Sequence, residues 1–129
     1  MDERNNQLVG NTGLFYICYE LSKKGWNCLI TSRNAKGPDI IIYSQDGEKK
    51  YAIQAKSLTS RRNSVPFGSN RNFISDYLII CVDVFNNPEI YIFKTEDVRE
   101  NLHEATKNGK VSYWFEFSRY IDLAINSIK

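Results

Sequence analysis

The run Tyr77-Leu78-Ile79-Ile80-Cys81-Val82 constrains this chain more than any other segment. Side chains of an extended strand alternate between two faces, and this run is apolar on both. Its six residues are too few for a bilayer-spanning helix. They suit a central strand covered on each side, so the strand from Tyr77 to Val84 demands two covering layers. The 129 residues are one domain's worth of sequence, spanning 1–129. That length builds one sizeable core without disulfides or a structural metal.

The rest of the chain offers the missing layers. In residues 11–24, Leu14, Ile17, Cys18 and Leu21 recur at helical spacing and Gly25 supplies a stop. Asn11 or Thr12 caps that helix, unless it starts a turn earlier. Strands are expected over 26–31, 39–44 and 50–57, the last two joined by a hairpin turn at Gln45-Asp46-Gly47-Glu48. Residues 58–72 form a polar basic connection, with one helical turn near 72–75. A strand over 89–93 follows Asn86-Asn87-Pro88. Residues 95–108 read as a helix, 111–117 as a short strand and 118–128 as a closing helix. The order is that of an α/β sandwich, a mixed central sheet with helices packed on it.

The net charge of +2 hides an asymmetry. Residues 33–72 carry eight Lys or Arg against three acids, whereas residues 73–105 carry two against seven. The basic side could meet a polyanion; the alternative is an unevenly charged solvated surface. Cys18, Cys28 and Cys81 are odd in number and form no close C-x-x-C pair, which argues against a disulfide framework or zinc ribbon and for a reducing cytoplasm. The segment Met1 to Gln7 lacks the apolar core of a secretory signal, and no run can span a membrane.

The chemistry is concentrated in Gly37-Pro38-Asp39 and Gln54-Ala55-Lys56-Ser57. A turn centred on Asp46-Gly47 sets Asp39 opposite Gln54, with Cβ atoms roughly 5 Å apart. Gln54 and Lys56 are two apart and share a face. A carboxylate, an amide oxygen and an ammonium at one hairpin end suit divalent-metal phosphodiester hydrolysis. Mg²⁺ takes oxygen ligands and keeps several waters. Asp39 supplies the anionic ligand, Gln54 a neutral oxygen and the Ala55 backbone carbonyl another. Lys56 orients water or stabilises charge on the phosphate. The competing reading is a polar strand end on a solvated hairpin.

Gly37-Pro38-Asp39 followed by Gln54-Ala55-Lys56 resembles the PD-(D/E)xK nuclease superfamily, which includes Holliday-junction resolvases and many restriction enzymes. The resemblance covers roughly residues 10–85 and extends to Gly10-Asn11-Thr12-Gly13 and Tyr19-Glu20-Leu21-Ser22-Lys23-Lys24-Gly25-Trp26. It implies a three-layer restriction-endonuclease-like sandwich, Mg²⁺ or Mn²⁺ as cofactor, DNA as substrate and a homodimer as a common working form. Two positions depart from the pattern. Gln54 stands where an acid is usual, as in the methyl-directed restriction branch. Leu14 follows Gly13 where many members carry a metal-binding glutamate. Glu20 is either a substitute ligand or an exposed acid pairing with Lys23 or Lys24. A nucleic-acid-binding module that cuts poorly on the same fold therefore stands beside the enzyme, and an interaction domain is a third reading.

Arg33 and Lys36 precede Asp39, and Ser57, Ser60, Arg61, Arg62, Asn63, Ser64 and Arg71 follow Lys56. Their charges and hydroxyl or amide donors suit phosphate contacts, against the alternative of a polar loop. His103 is the lone histidine, which leaves zinc and Cys–His nucleophile chemistry unsupported. Tyr113, Trp114, Phe115, Phe117 and Tyr120 either stack bases or fill the core.

Overall fold

The computed structural model describes residues 5–31, 37–61, 63–69 and 72–129. Helix α1 runs Asn6–Lys23 and strand β1 Asn27–Ile30. Strands β2 (Ile40–Tyr43), β3 (Lys50–Ser57), β4 (Val65–Gly68), β5 (Tyr77–Val82) and β6 (Glu89–Lys94) follow. Helix α2 (Thr95–Glu100), β7 (His103–Lys107), β8 (Lys110–Phe115), a 3-10 turn at Phe117–Arg119 and the single-turn α3 (Tyr120–Leu123) complete the chain.

Five strands make a mixed sheet in the order β1-β2-β3-β5-β6, and β3 and β5 are its parallel pair. The apolar run is β5, and its side chains divide between two cores. Ile79 and Cys81 join Ile40, Ile42 and Ile53 beneath Leu14, Ile17 and Leu21 of α1. Leu78, Ile80 and Val82 face Val65, Phe67, Val98, Phe115 and Tyr120 on the other side. The architecture is the expected mixed α/β sandwich, with a three-stranded sheet, β4-β8-β7, contributing to the second covering layer.

Helix α1 starts earlier than Asn11 or Thr12. Asn5 caps it, its side chain accepting from the Leu8 amide at 2.9 Å. At the other end the Trp26 amide bonds the Leu21 carbonyl and the Gly25 amide the Ser22 carbonyl. This Schellman closure needs Gly25, whose φ is +95°.

Four elements differ from the sequence expectation. The helix expected over 95–108 ends at Glu100, and His103–Lys107 pairs with Lys110–Phe115 as a hairpin. Its turn is Asn108-Gly109, both at positive φ (54° and 75°), the pair that a two-residue hairpin turn requires. Val65–Gly68, expected as connection, is an edge strand that accommodates Pro66 beside a bulge. No helical turn forms over 72–75. The closing helix shortens to one turn, because Ile125 leaves it to donate to the Ile92 carbonyl at 2.8 Å.

Candidate active site

The β2–β3 hairpin pairs Ile40 with Ile53 and Tyr43 with Lys50, the register that the Asp-Gly turn predicts. The register carries Asp39 to Gln54. The Gln54 amide nitrogen donates to Asp39 Oδ2 at 2.9 Å, and the Ala55 backbone amide donates to the same oxygen at 2.9 Å. Among the described residues no hydrogen bond is recorded on Oδ1. The Asp39 amide bonds the Ile53 carbonyl at 2.9 Å, which fixes its backbone against β3. N–H and C=O of one strand residue point to the same side, so the Ala55 carbonyl is directed to the Asp39 edge as its N–H is.

Two neighbours hold Asp39 in place. Thr31 donates its hydroxyl to the Pro38 carbonyl at 2.7 Å, and its amide bonds the Asp39 carbonyl at 3.0 Å. Gly37 has φ +113°, a conformation that L side chains rarely adopt, so the bend into Pro38 depends on glycine there.

Lys56 completes the group. Its Nζ lies 5.1 Å from the centre of the Phe67 ring, a cation–π contact that anchors the half-buried side chain. Burial pushes its pKa below 10.5, and the Asp39 charge opposes that shift. Asp39, Lys56 and Ser57 line one cleft of about 300 Å³, walled by Asn6, Gly10 and Leu14 of α1. Gln54 and Lys56 line a second, lined also by Phe67 and Phe73. Lys56 thus borders both.

Helix α1 comes unusually close to β3 beside this cleft. A Cβ on Gly13 would stand 1.9 Å from Ser57 Oγ, so only glycine permits the approach. Leu14, the next residue, is buried and faces the cleft. It gives the cleft an apolar wall on the α1 side.

Glu20 is not brought to the group. It pairs with Lys23 at 3.7 Å, and its proximity raises the pKa of the Tyr16 hydroxyl. Six residues beyond Leu14, it lies about 9 Å further along the helix. Among the described residues no three His, Cys, Asp or Glu side chains converge as a metal cluster, and Asp39 is the sole carboxylate lining the first cleft.

Of the expected phosphate contacts, Arg33, Lys36, Arg62 and Arg71 lie outside the described residues. Ser57 lines the cleft. Arg61 has intramolecular partners: Glu89, the Asn87 carbonyl at 3.2 Å and Asp83, its Nε lying 3.4 Å from a carboxylate oxygen. The aromatic segment mostly fills the core, since Phe115 and Tyr120 are fully buried and the Tyr120 hydroxyl donates to the Asn63 carbonyl. Sequence reasoning missed Thr31 and Phe67, the residues that hold Pro38-Asp39 and Lys56. Neither belongs to a motif, and only the folded register brings them in.

No protein-family model matches the sequence, and no curated protein does. Among solved structures the chain is similar to Hjc, a Holliday junction resolvase from the archaeal hyperthermophile Archaeoglobus fulgidus. The fold is shared with that resolvase. The match covers 86% of this chain and 93% of the resolvase, with a TM-score of 0.50 and 12% sequence identity. At that identity the likeness is one of fold. It matches the sandwich expected from the sequence. No helix among the described residues is long and apolar enough to cross a membrane.

Proposed function

We propose that this chain is a Mg²⁺-dependent endonuclease-like protein acting on DNA phosphodiester bonds. One observation carries the reading: Asp39, Gln54 and Ala55 are hydrogen-bonded together at the hairpin end, and Lys56 stands beside the same cleft. The donor set is all oxygen and suits a hard cation. Asp39 through Oδ1, the Ala55 carbonyl and the Gln54 amide oxygen are the groups that would hold it. Mg²⁺, when bound, supplies Lewis-acid polarisation of the phosphoryl group and a more acidic water.

The chain's own residues do the rest. Asp39 positions the Ala55 strand segment through its hydrogen bonds. Lys56 presents an ammonium, anchored on Phe67 and partly shielded from water, to charge developing on the phosphate. Arg33, Lys36, Arg62 and Arg71, with Ser57, provide the phosphate contacts of the DNA face. The resolvase fold and the Gln-x-Lys spacing support the nuclease assignment. Cutting two strands needs two sites, so a homodimer is the working form; exposed Leu29 and Ile30 on β1 and Phe15 and Tyr19 on α1 provide apolar surface for one.

The test is calorimetry with Mn²⁺ on wild type and Asp39→Ala, beside a cleavage assay on duplex and branched DNA. Saturable binding and Mg²⁺-dependent cleavage, both lost in the variant, are expected. Equal metal affinity in the two proteins excludes Asp39 as a ligand.

A specific observation favours a second reading, a nucleic-acid-binding module without turnover. Leu14 walls the cleft and Gln54 is neutral, so a cation meets one carboxylate where two or three are common in this superfamily. That module predicts salt-dependent DNA affinity that is indifferent to Mg²⁺.

A further inference from the structure

Two of the three cysteines meet at the junction of α1 and β1, on residues the site does not use. Cys18 belongs to α1 and Cys28 to β1, and both are half-buried. Cys28 Sγ lies 3.8 Å from the Cys18 carbonyl oxygen, and the Ser22 hydroxyl reaches Cys28 Sγ at 3.9 Å. The Trp26 carbonyl oxygen lies 4.0 Å from the same sulfur, so the backbone of α1 and the start of β1 close around Cys28.

The pair is asymmetric. The neighbouring Cys18 thiol, and the Ser22 hydroxyl that donates to the Cys28 sulfur, bring the Cys28 pKa down to about 7 against an opposing burial effect. Cys18, beside Cys28 and half-buried, is pushed up. Cys81 shows the contrast: it is fully buried in the core, and burial raises its thiol to about 12. A thiolate beside a second thiol, with partial access to solvent, is the arrangement of a redox-reactive cysteine rather than an inert one.

We propose that Cys28 and Cys18 are a reactive pair that a hydroperoxide oxidises reversibly to an intramolecular disulfide. The Cys28 thiolate attacks the terminal oxygen of the hydroperoxide. The O–O bond breaks, sulfur becomes the sulfenic acid, and the oxygen that leaves takes up a proton as alcohol, or as water from hydrogen peroxide. Cys18 then attacks the Cys28 sulfur. The S–S bond forms, and the sulfenic hydroxyl departs with the Cys18 proton as water. Two thiols are oxidised and one peroxide bond is reduced.

Closing the bond requires the sulfurs to approach to about 2.05 Å. Strand β1 can yield, because it is a four-residue edge strand hydrogen-bonded on one side only, to β2. The consequence is a staple between two walls of the cleft. Cys18 lies one turn beyond Leu14 on α1, and β1 leads directly to Thr31. This inference stands whether or not the chain cuts DNA.

The test treats the full chain with equimolar hydrogen peroxide near neutral pH and maps its peptides without reductant. The expected product is monomeric, lighter by two hydrogens, carries a Cys18–Cys28 cross-link and reverts with dithiothreitol. Iodoacetamide should label Cys28 of the unoxidised protein before Cys18 and Cys81. Cys18→Ser should leave a sulfenic acid on Cys28 that dimedone traps, and Cys81→Ser should keep the cross-link. Disulfides between molecules, over-oxidation of Cys28 without a cross-link, Cys81 reacting first, or no reaction would each overturn the proposal. The wild-type map and labelling order decide it even if a serine variant misfolds.

Discussion

Asp39 and Gln54 form a pair in which the amide is at once a hydrogen-bond donor to the carboxylate and the weakest member of a cation site. Gln54→Glu removes the 2.9 Å bond to Asp39 and sets two carboxylates against each other. Without metal, the variant should therefore melt below wild type, because one carboxyl must stay protonated or repel its neighbour. With Mn²⁺ the order should reverse, since a second anionic oxygen binds a hard cation better than an amide dipole. Thermal melting with and without Mn²⁺ reads both effects in one experiment. A variant indifferent to Mn²⁺ places Gln54 outside the cation site. Lys56 gives a second prediction. Burial lowers its pKa, so the folded state binds fewer protons than the unfolded chain between its folded value and 10.5. Stability then rises with pH through that window, and the full penalty applies below it. Lys56→Met should be more heat-stable than wild type at neutral pH, with the gap narrowing toward pH 10.5. A gap that widens with pH would mean that Lys56 stabilises the fold through Asp39 instead.

At the scale of elements, α1 carries its own internal control. Gly13 and Gly10 lie one turn apart, yet a Cβ at Gly13 meets Ser57 Oγ at 1.9 Å and Cβ at 2.7 Å, while one at Gly10 meets nothing within 4 Å. Gly13→Ala should cost about 1–3 kcal/mol by forcing α1 off β3. Gly10→Ala should raise stability by up to about 1 kcal/mol through helix propensity. Urea denaturation of the two variants compares them directly, and equal effects would mean that α1 does not rest on β3 at Gly13. The same elements explain what was legible in the sequence. The β2–β3 register could be read because Asp46-Gly47 pins a hairpin whose flanks are strongly β-forming, and the site followed from that register. Strand β7 could not be read from periodicity, since His103-Glu104-Ala105-Thr106-Lys107 follows a true helical start at Thr95 and contains helix-tolerant residues. Its signal was the turn: Asn108-Gly109 is the same kind of hairpin marker as Asp46-Gly47. The closing helix failed for a tertiary reason, the Ile125 bond to β6, which no local pattern announces. Glu20 was ambiguous from sequence because spacing along α1 does not say which turn of the helix lies over Asp39; the fold sets Gly10 and Leu14 there instead.

For the whole molecule, the question is which charges a DNA backbone would meet. The basic excess of residues 33–72 includes Arg61, yet the fold partly neutralises that residue. Its guanidinium bonds Glu89 at the start of β6 and approaches Asp83, which follows β5, so it joins the segment after β3 to two others. An arginine already paired with carboxylates must exchange those partners for phosphate, and the net counterion release on binding is smaller than for an unpaired cation. On duplex DNA each full phosphate contact contributes about −0.9 to the slope of log affinity against log salt. Arg62→Ala and Arg71→Ala should therefore each flatten the slope by up to about 0.9, and weaken all duplexes alike, because phosphate contacts carry no base information. Arg61→Ala should change the slope by much less. Salt titrations of DNA affinity for the three single variants separate these outcomes. Should Arg61→Ala flatten the slope as much as the others, its ion pairs open on binding and Glu89 and Asp83 lie at the edge of the DNA face. If instead none of the three changes it, the basic segment after Lys56 faces away from DNA, and the contacts fall to Arg33 and Lys36 on the approach to Asp39.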